Sequence, residues 1–248
     1  MNEQKLEENA ERISAKIKGK RVYMFGMVIA QIAVFPMLVF SKKLFSAELY
    51  YGAILLCLIS SVVFLHKDKQ SALQVTALVF TCFADFFLIL LGSHKLLAMC
   101  FFLTTQICYA VRTVLMAKNV RERVVNIAVR LLGSFLITLI AVLVLQEKTD
   151  ALIVVSLIYY VNLLVSITFA FLHFRENKLL AIGLLLFAFC DVFIGLPFVI
   201  DIFSLTSEHF IYKLVHGSPI RLDCMFYQPS QVLLCLSAGG VKIWRENV

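Results

Sequence analysis

The 248-residue sequence predicts an all-α, polytopic integral membrane protein: about eight transmembrane helices in one bundle, with the suggestion of a duplicated four-helix unit. Three observations predict it. Hydrophobic residues make up 61% of the chain and charged ones 16%, where a soluble domain carries about 25% charged residues. The apolar residues come in runs long enough to cross a bilayer, which takes about 20 residues of helix. Two of those runs hold an aspartate in similar surroundings, Leu78-Val-Phe-Thr-Cys-Phe-Ala-Asp85-Phe-Phe-Leu and Leu184-Leu-Leu-Phe-Ala-Phe-Cys-Asp191-Val-Phe-Ile.

Residues 1–21 are charged throughout and include four glutamates. They lack the basic start, short apolar centre and small-residue cleavage site of a signal peptide. Leu6, Ala10, Ile13 and Ile17 recur at helical spacing, so this segment reads as a helix that either lies on the membrane surface or is solvated. Residues 22–241 form the transmembrane domain, with spans at 22–41, 44–65, 71–92, 95–117, 124–146, 151–172, 179–200 and 224–241. Short connections favour an antiparallel bundle of sequential neighbours. The exception is the polar stretch 201–223, which carries His209, His216 and Gly217-Ser-Pro219. A loop of that length is either disordered or covers something, such as the outer mouth of the bundle. Residues 242–248 form a short tail.

Charge sets the expected orientation. Fifteen Lys and Arg fall on the side that receives residues 1–21 and the C-terminal tail, against six, including Lys42 and Lys43, on the other. The positive-inside rule then places both termini in the cytoplasm. Arg112 and Arg130 fall near helix ends on the same side and are expected to snorkel there. A net charge of +7 distributed in this way is a topology signal and not a nucleic-acid groove, so no nucleic-acid partner is expected. Six of the seven cysteines lie in apolar segments, which argues against a disulfide framework. The five histidines form no pair at helical ligand spacing, and the chain has no phosphate loop, nucleophile elbow or dinucleotide fingerprint. No metal and no cofactor is expected, and nothing in the sequence selects an oligomeric state.

The aspartates remain. A carboxylate at membrane depth costs roughly 2.5–3.5 kcal/mol on insertion scales, so Asp85 and Asp191 call for a shared polar site. Gln106 and Tyr109 on the fourth span, Tyr159, Tyr160 and Asn162 on the sixth, and Tyr227 and Gln231 on the eighth lie at similar depth. Each is a candidate partner, although Asn, Gln and Tyr also serve as plain interhelical glue. Two carboxyl groups in a low-dielectric pocket are expected to share a proton, an arrangement suited to paired acid and base work on an acid-labile lipid. The same pair suits a proton-coupled transporter, or a catalytically silent bundle in which each carboxyl is satisfied locally.

The layout of spans and the two aspartate segments, with Phe-Leu-Thr-Thr-Gln106-Ile-Cys-Tyr109 and Met-Phe-Tyr227-Gln-Pro-Ser-Gln231, resemble the YhhN-like family of lysoplasmalogenases. Asp85, Tyr109, Asp191, Tyr227 and Gln231 match the family's motif positions. Ala84 and Cys190 replace the glycine and serine that usually precede the aspartates, and Gln106 stands where the family usually has histidine. Lys42-Lys43-Leu is the nearest counterpart of the Lys-Pro that often opens the second helix. The resemblance implies a membrane lipid substrate and hydrolysis of the vinyl ether bond of lysoplasmalogens. It makes Asp85 and Asp191 the catalytic pair, with Gln106, Tyr109, Tyr227 and Gln231 as their hydrogen-bonding surround.

Overall fold

A computed structural model of the chain describes residues 3–40 and 46–239. The C-terminal tail, Lys42 and Lys43 lie outside the described residues. Nine α-helices run in the order α1 (Glu3–Phe40), α2 (Ser46–Val63), α3 (Lys69–Asp85), α4 (Lys95–Met116), α5 (Val120–Leu145), α6 (Ala151–Leu172), α7 (Lys178–Phe203), α8 (Phe210–Gly217) and α9 (Leu222–Ser237) among the described residues. Six stretches, carried by α1, α3, α4, α5, α6 and α7, are long and apolar enough to cross a membrane. The second predicted span is the shorter apolar helix α2, and the eighth is the 16-residue α9. The bundle is therefore all-helical and membrane-spanning, with six of the eight expected spans meeting the length requirement. The charged start of the chain is not a separate helix: α1 runs without a break from Glu3 into its span, which begins at Ala15.

Local sequence explains where several helices begin. The Asp68 carboxylate accepts from the backbone N–H of Ser71 at 2.8 Å, and Asp150 does the same for Ile153 at 2.8 Å. Asn119 accepts from Glu122 N–H at 2.8 Å while the Glu122 carboxylate accepts from Lys118 N–H at 3.0 Å, a reciprocal cap on α5. The polar stretch 201–223 is partly helical: α8 occupies it and packs on α7.

Helix packing repeats along the chain. If α1–α4 are set against α5, α6, α7 and α9, each neighbour pair in one set has its counterpart in the other: α1·α2 with α5·α6, α2·α3 with α6·α7, α3·α4 with α7·α9. Between the sets, α4 on α5 and α6 matches α9 on α1 and α2, while α9 also packs on α3 without a counterpart of that size between α4 and α7. This is the pairing scheme of a duplicated four-helix unit. α7 packs tightly on α9 where Gly183 meets Leu234; a Cβ at Gly183 would lie 3.0 Å from the Leu234 side chain and 3.3 Å from its backbone nitrogen. Such close backbone approach is how membrane helices gain contact when lipid gives no hydrophobic drive between them. α5 is the least buried of the six membrane-length helices, with Asn126, Arg130 and Ala141 its only buried residues.

Candidate functional site

Asp85 is the last residue of α3, where the helix widens into a π turn over Phe86–Leu90. Such turns are common where a side chain must be re-aimed. The carboxylate is 2% exposed and accepts a hydrogen bond from the hydroxyl of Tyr227 on α9. Asp191 lies in the middle of α7, is partly exposed, and accepts from the hydroxyl of Tyr159 on α6.

Aromatic rings join the two halves. Tyr227 stacks on Tyr50 of α2 with centroids 5.3 Å apart and meets the edge of Phe187 at 5.6 Å. Phe187 contacts Phe102 of α4 at 6.2 Å, and Phe102 contacts Tyr159 at 6.0 Å. The path Asp85–Tyr227–Phe187–Phe102–Tyr159–Asp191 is continuous. It also carries the repeat: Phe102 on α4 holds the place that Tyr227 holds on α9, and a phenyl ring cannot donate. Asp191 takes its hydrogen bond from α6 instead.

Gln106 lies one turn beyond Phe102, and Gln231 one turn beyond Tyr227. Both side chains are fully buried, and neither the nitrogen nor the oxygen of either amide has a hydrogen-bond partner among the described residues. Four unpaired polar atoms in an apolar interior are costly, at about 1–3 kcal/mol per buried group. Tyr109 is also fully buried, and its hydroxyl accepts from Gln74 Nε2 at 3.4 Å.

The structure groups some sequence candidates differently. Asn162 lies away from the aspartates, in a cluster around Arg130: its backbone oxygen accepts from Arg130 Nη1 at 2.8 Å and its Oδ1 at 3.3 Å. Asn126 Oδ1, Ser166 Oγ and Thr113 Oγ1 take the remaining donors of that guanidinium at 2.7, 3.2 and 3.0 Å. Arg112 bonds to Gln74 Oε1 and to the hydroxyl and backbone oxygen of Ser237, capping the C-terminal end of α9. Neither arginine snorkels, because both are buried and find acceptors inside the bundle.

Of three further residues near the aspartates, the sequence named one, Tyr159, without distinguishing it from Tyr160 and Asn162. Tyr159 sat at the right depth beside Asn162, but depth alone does not say which face turns inward. Tyr50 and Arg221 gave no signal. Arg221 lies 5.8 Å from the centre of the Tyr50 ring and pairs with Asp223 at 2.8 Å. Burial acts most strongly and lowers its guanidinium, but the bond to Asp223 and the acidic groups around it together outweigh that and hold it above the usual arginine value. No group of three or more His, Cys, Asp or Glu is placed to hold a metal among the described residues.

Comparison with known proteins rests on one finding. The model of the YhhN family matches residues 48–212, which runs from α2 into α8 and takes in both aspartates, Gln106, Tyr109 and Asn162, while Tyr227 and Gln231 lie beyond it. No curated protein matches, and no solved structure matches. That match spans well over half the chain, and with it the protein is placed: it belongs to the YhhN family.

Proposed function

We propose that this chain is a membrane-embedded hydrolase of the lysoplasmalogenase type, cleaving the vinyl ether bond of a lysophospholipid with Asp85 and Asp191 as its acid and base. The observation that carries the reading is the pairing itself: two carboxyl groups inside a membrane bundle, each held by one tyrosine hydroxyl and joined by one aromatic wall. Each carboxylate keeps acceptor capacity that its single tyrosine does not use.

A vinyl ether is cleaved by protonation at its outer carbon, which leaves an oxocarbenium ion that water captures. The resulting hemiacetal collapses to a fatty aldehyde and a glycerophospho-alcohol. An ionised carboxylate is least costly where water reaches it, so the partly exposed Asp191 takes the anionic role, steadying the cation and removing a proton from the attacking water. Asp85, enclosed by Tyr227 and Tyr50, delivers the proton to carbon. The unpaired amides of Gln106 and Gln231 are free to hold the ether oxygen and the water.

The test is fatty aldehyde release by the purified full chain in detergent, from an alkenyl lysophospholipid and from its acyl counterpart. Release from the alkenyl lipid alone is expected. A folded chain that releases aldehyde from neither lipid contradicts the hydrolase reading and leaves the pair to proton-coupled transport.

A further inference from the structure

A cavity of about 300 Å³ opens where α7 ends, α8 crosses and α9 begins. Its apolar side is formed by Phe193 and Pro197 of α7 with Leu214 and Val215 of α8, and its polar side by Arg221 and Asp223. Its size falls at the lower end of small-ligand pockets, about 300–1,000 Å³. The wall on α7 starts within one turn of Asp191. On the opposite side, Arg221 lies against Tyr50, which stacks on Tyr227, the partner of Asp85. Neither carboxyl group lines the cavity; it is linked to Asp191 along α7 and to Asp85 through Arg221, Tyr50 and Tyr227.

We propose that this cavity is a head-group site for zwitterionic phospholipids, with Arg221 receiving the phosphate and Asp223 the ammonium group. The two side chains are about a third exposed, at 32% and 28%, and bond through one contact from Arg221 Nη2 to Asp223 Oδ2. That contact leaves most of the guanidinium fork free for phosphate oxygens. It also leaves one carboxylate oxygen for an ammonium donor. The backbone of Arg221 is itself fixed, its N–H donating to Val39 O of α1 at 3.0 Å. A lone phosphate would meet the repulsion of Asp223, and a lone amine that of Arg221; a ligand carrying both charges meets neither. The apolar half of the cavity accommodates the glycerol and the start of a chain, which selects a lipid over a free head group. The identification of the ligand as a lysophospholipid rests on the hydrolase reading above; the charge pattern of the site does not.

Binding to the full-length protein in detergent tests this with acyl lipids, which carry no vinyl ether. The probes are lysophosphatidylethanolamine, lysophosphatidate, monoacylglycerol and chain-free glycerophosphoethanolamine. The native chain is expected to prefer lysophosphatidylethanolamine over each of the others by about tenfold or more, as charge-assisted bonds allow. Arg221→Gln should remove the preference over monoacylglycerol, with partial recovery in Arg221→Lys. Asp223→Asn should remove the preference over lysophosphatidate. A native chain that binds all four alike overturns the proposal whatever the variants do. So does a native preference that survives Arg221→Gln and Asp223→Asn. Glycerophosphoethanolamine binding as well as the lipid would show a free head-group site instead. Because aldehyde release plays no part, loss of the hydrolase reading and loss of this site are separate results.

Discussion

Two buried polar clusters in this bundle solve the problem of charge in a membrane in opposite ways. Around Arg130, Asn126, Asn162, Ser166 and Thr113 supply an acceptor for every edge of the guanidinium, and the cluster ties α4, α5 and α6 together. Around Asp85 and Asp191, each carboxylate receives one tyrosine hydroxyl, and the neighbouring glutamines receive nothing among the described residues. Saturated networks fix structure, because each member loses a bond if the helices shift. An unsaturated network costs stability and is retained where a ligand uses what is left over. The difference teaches that a charged residue at membrane depth marks a site only when its surroundings leave it unfinished.

The comparison is broken most readily at the carboxyl groups. Asp85→Asn and Asp191→Asn should each lower the rate of aldehyde release by about a thousandfold, the range of general acid–base catalysis, while thermal unfolding in detergent stays near that of the native chain. Full activity in either variant would remove that carboxyl from the site. Arg130→Met should behave in the reverse way. It strands five acceptor atoms on four residues and should cost about 2 kcal/mol of stability by thermal unfolding, with normal turnover in the folded fraction. Retained stability would show that this cluster is not the structural one.

Smaller effects sharpen the contrast. Tyr227→Phe and Tyr159→Phe each remove one charge-assisted bond to a carboxylate and should slow turnover by about tenfold. Gln106→Leu and Gln231→Leu replace unpaired amides with side chains of similar size. They should leave the unfolding midpoint unchanged or raised, since no buried bond is lost, while turnover falls. Asn126→Leu, which removes an acceptor that Arg130 uses at 2.7 Å, should lower the midpoint and spare turnover. Equal stability losses in the glutamine and asparagine variants would erase the distinction between the two clusters.

Much of this was legible in the sequence, and the reasons for the gaps are physical. Apolar run length and charged flanks give the membrane bundle, because a bilayer imposes length directly on sequence. The aspartates announce themselves by cost. The rotation of each helix about its axis is set by packing between elements and leaves no one-dimensional mark. Asn162 and Tyr159, three residues apart on α6, were therefore not separable by depth, yet one completes the Arg130 cluster and the other holds Asp191. Arg112 and Arg130 read as snorkelling residues for the same reason, since their acceptors come from α3, α6 and α9. α8 escaped notice because its eight residues sit inside a polar stretch too short of apolar length to signal a span. The internal echo around the aspartates, by contrast, extends further in space than in sequence, reaching the helix-pairing scheme and the placement of Gln106 and Gln231.

The central claim is that Asp85 and Asp191 work as one unit, and the rates of aldehyde release by Asp85→Asn, Asp191→Asn and the double variant test it most directly. Residues that act together lose little more when both are removed than when one is, so the double variant should be no slower than the slower single variant by more than about threefold. Multiplying losses, with the double variant slower by the product of the single effects, would mean two independent carboxyl groups and would contradict the shared site.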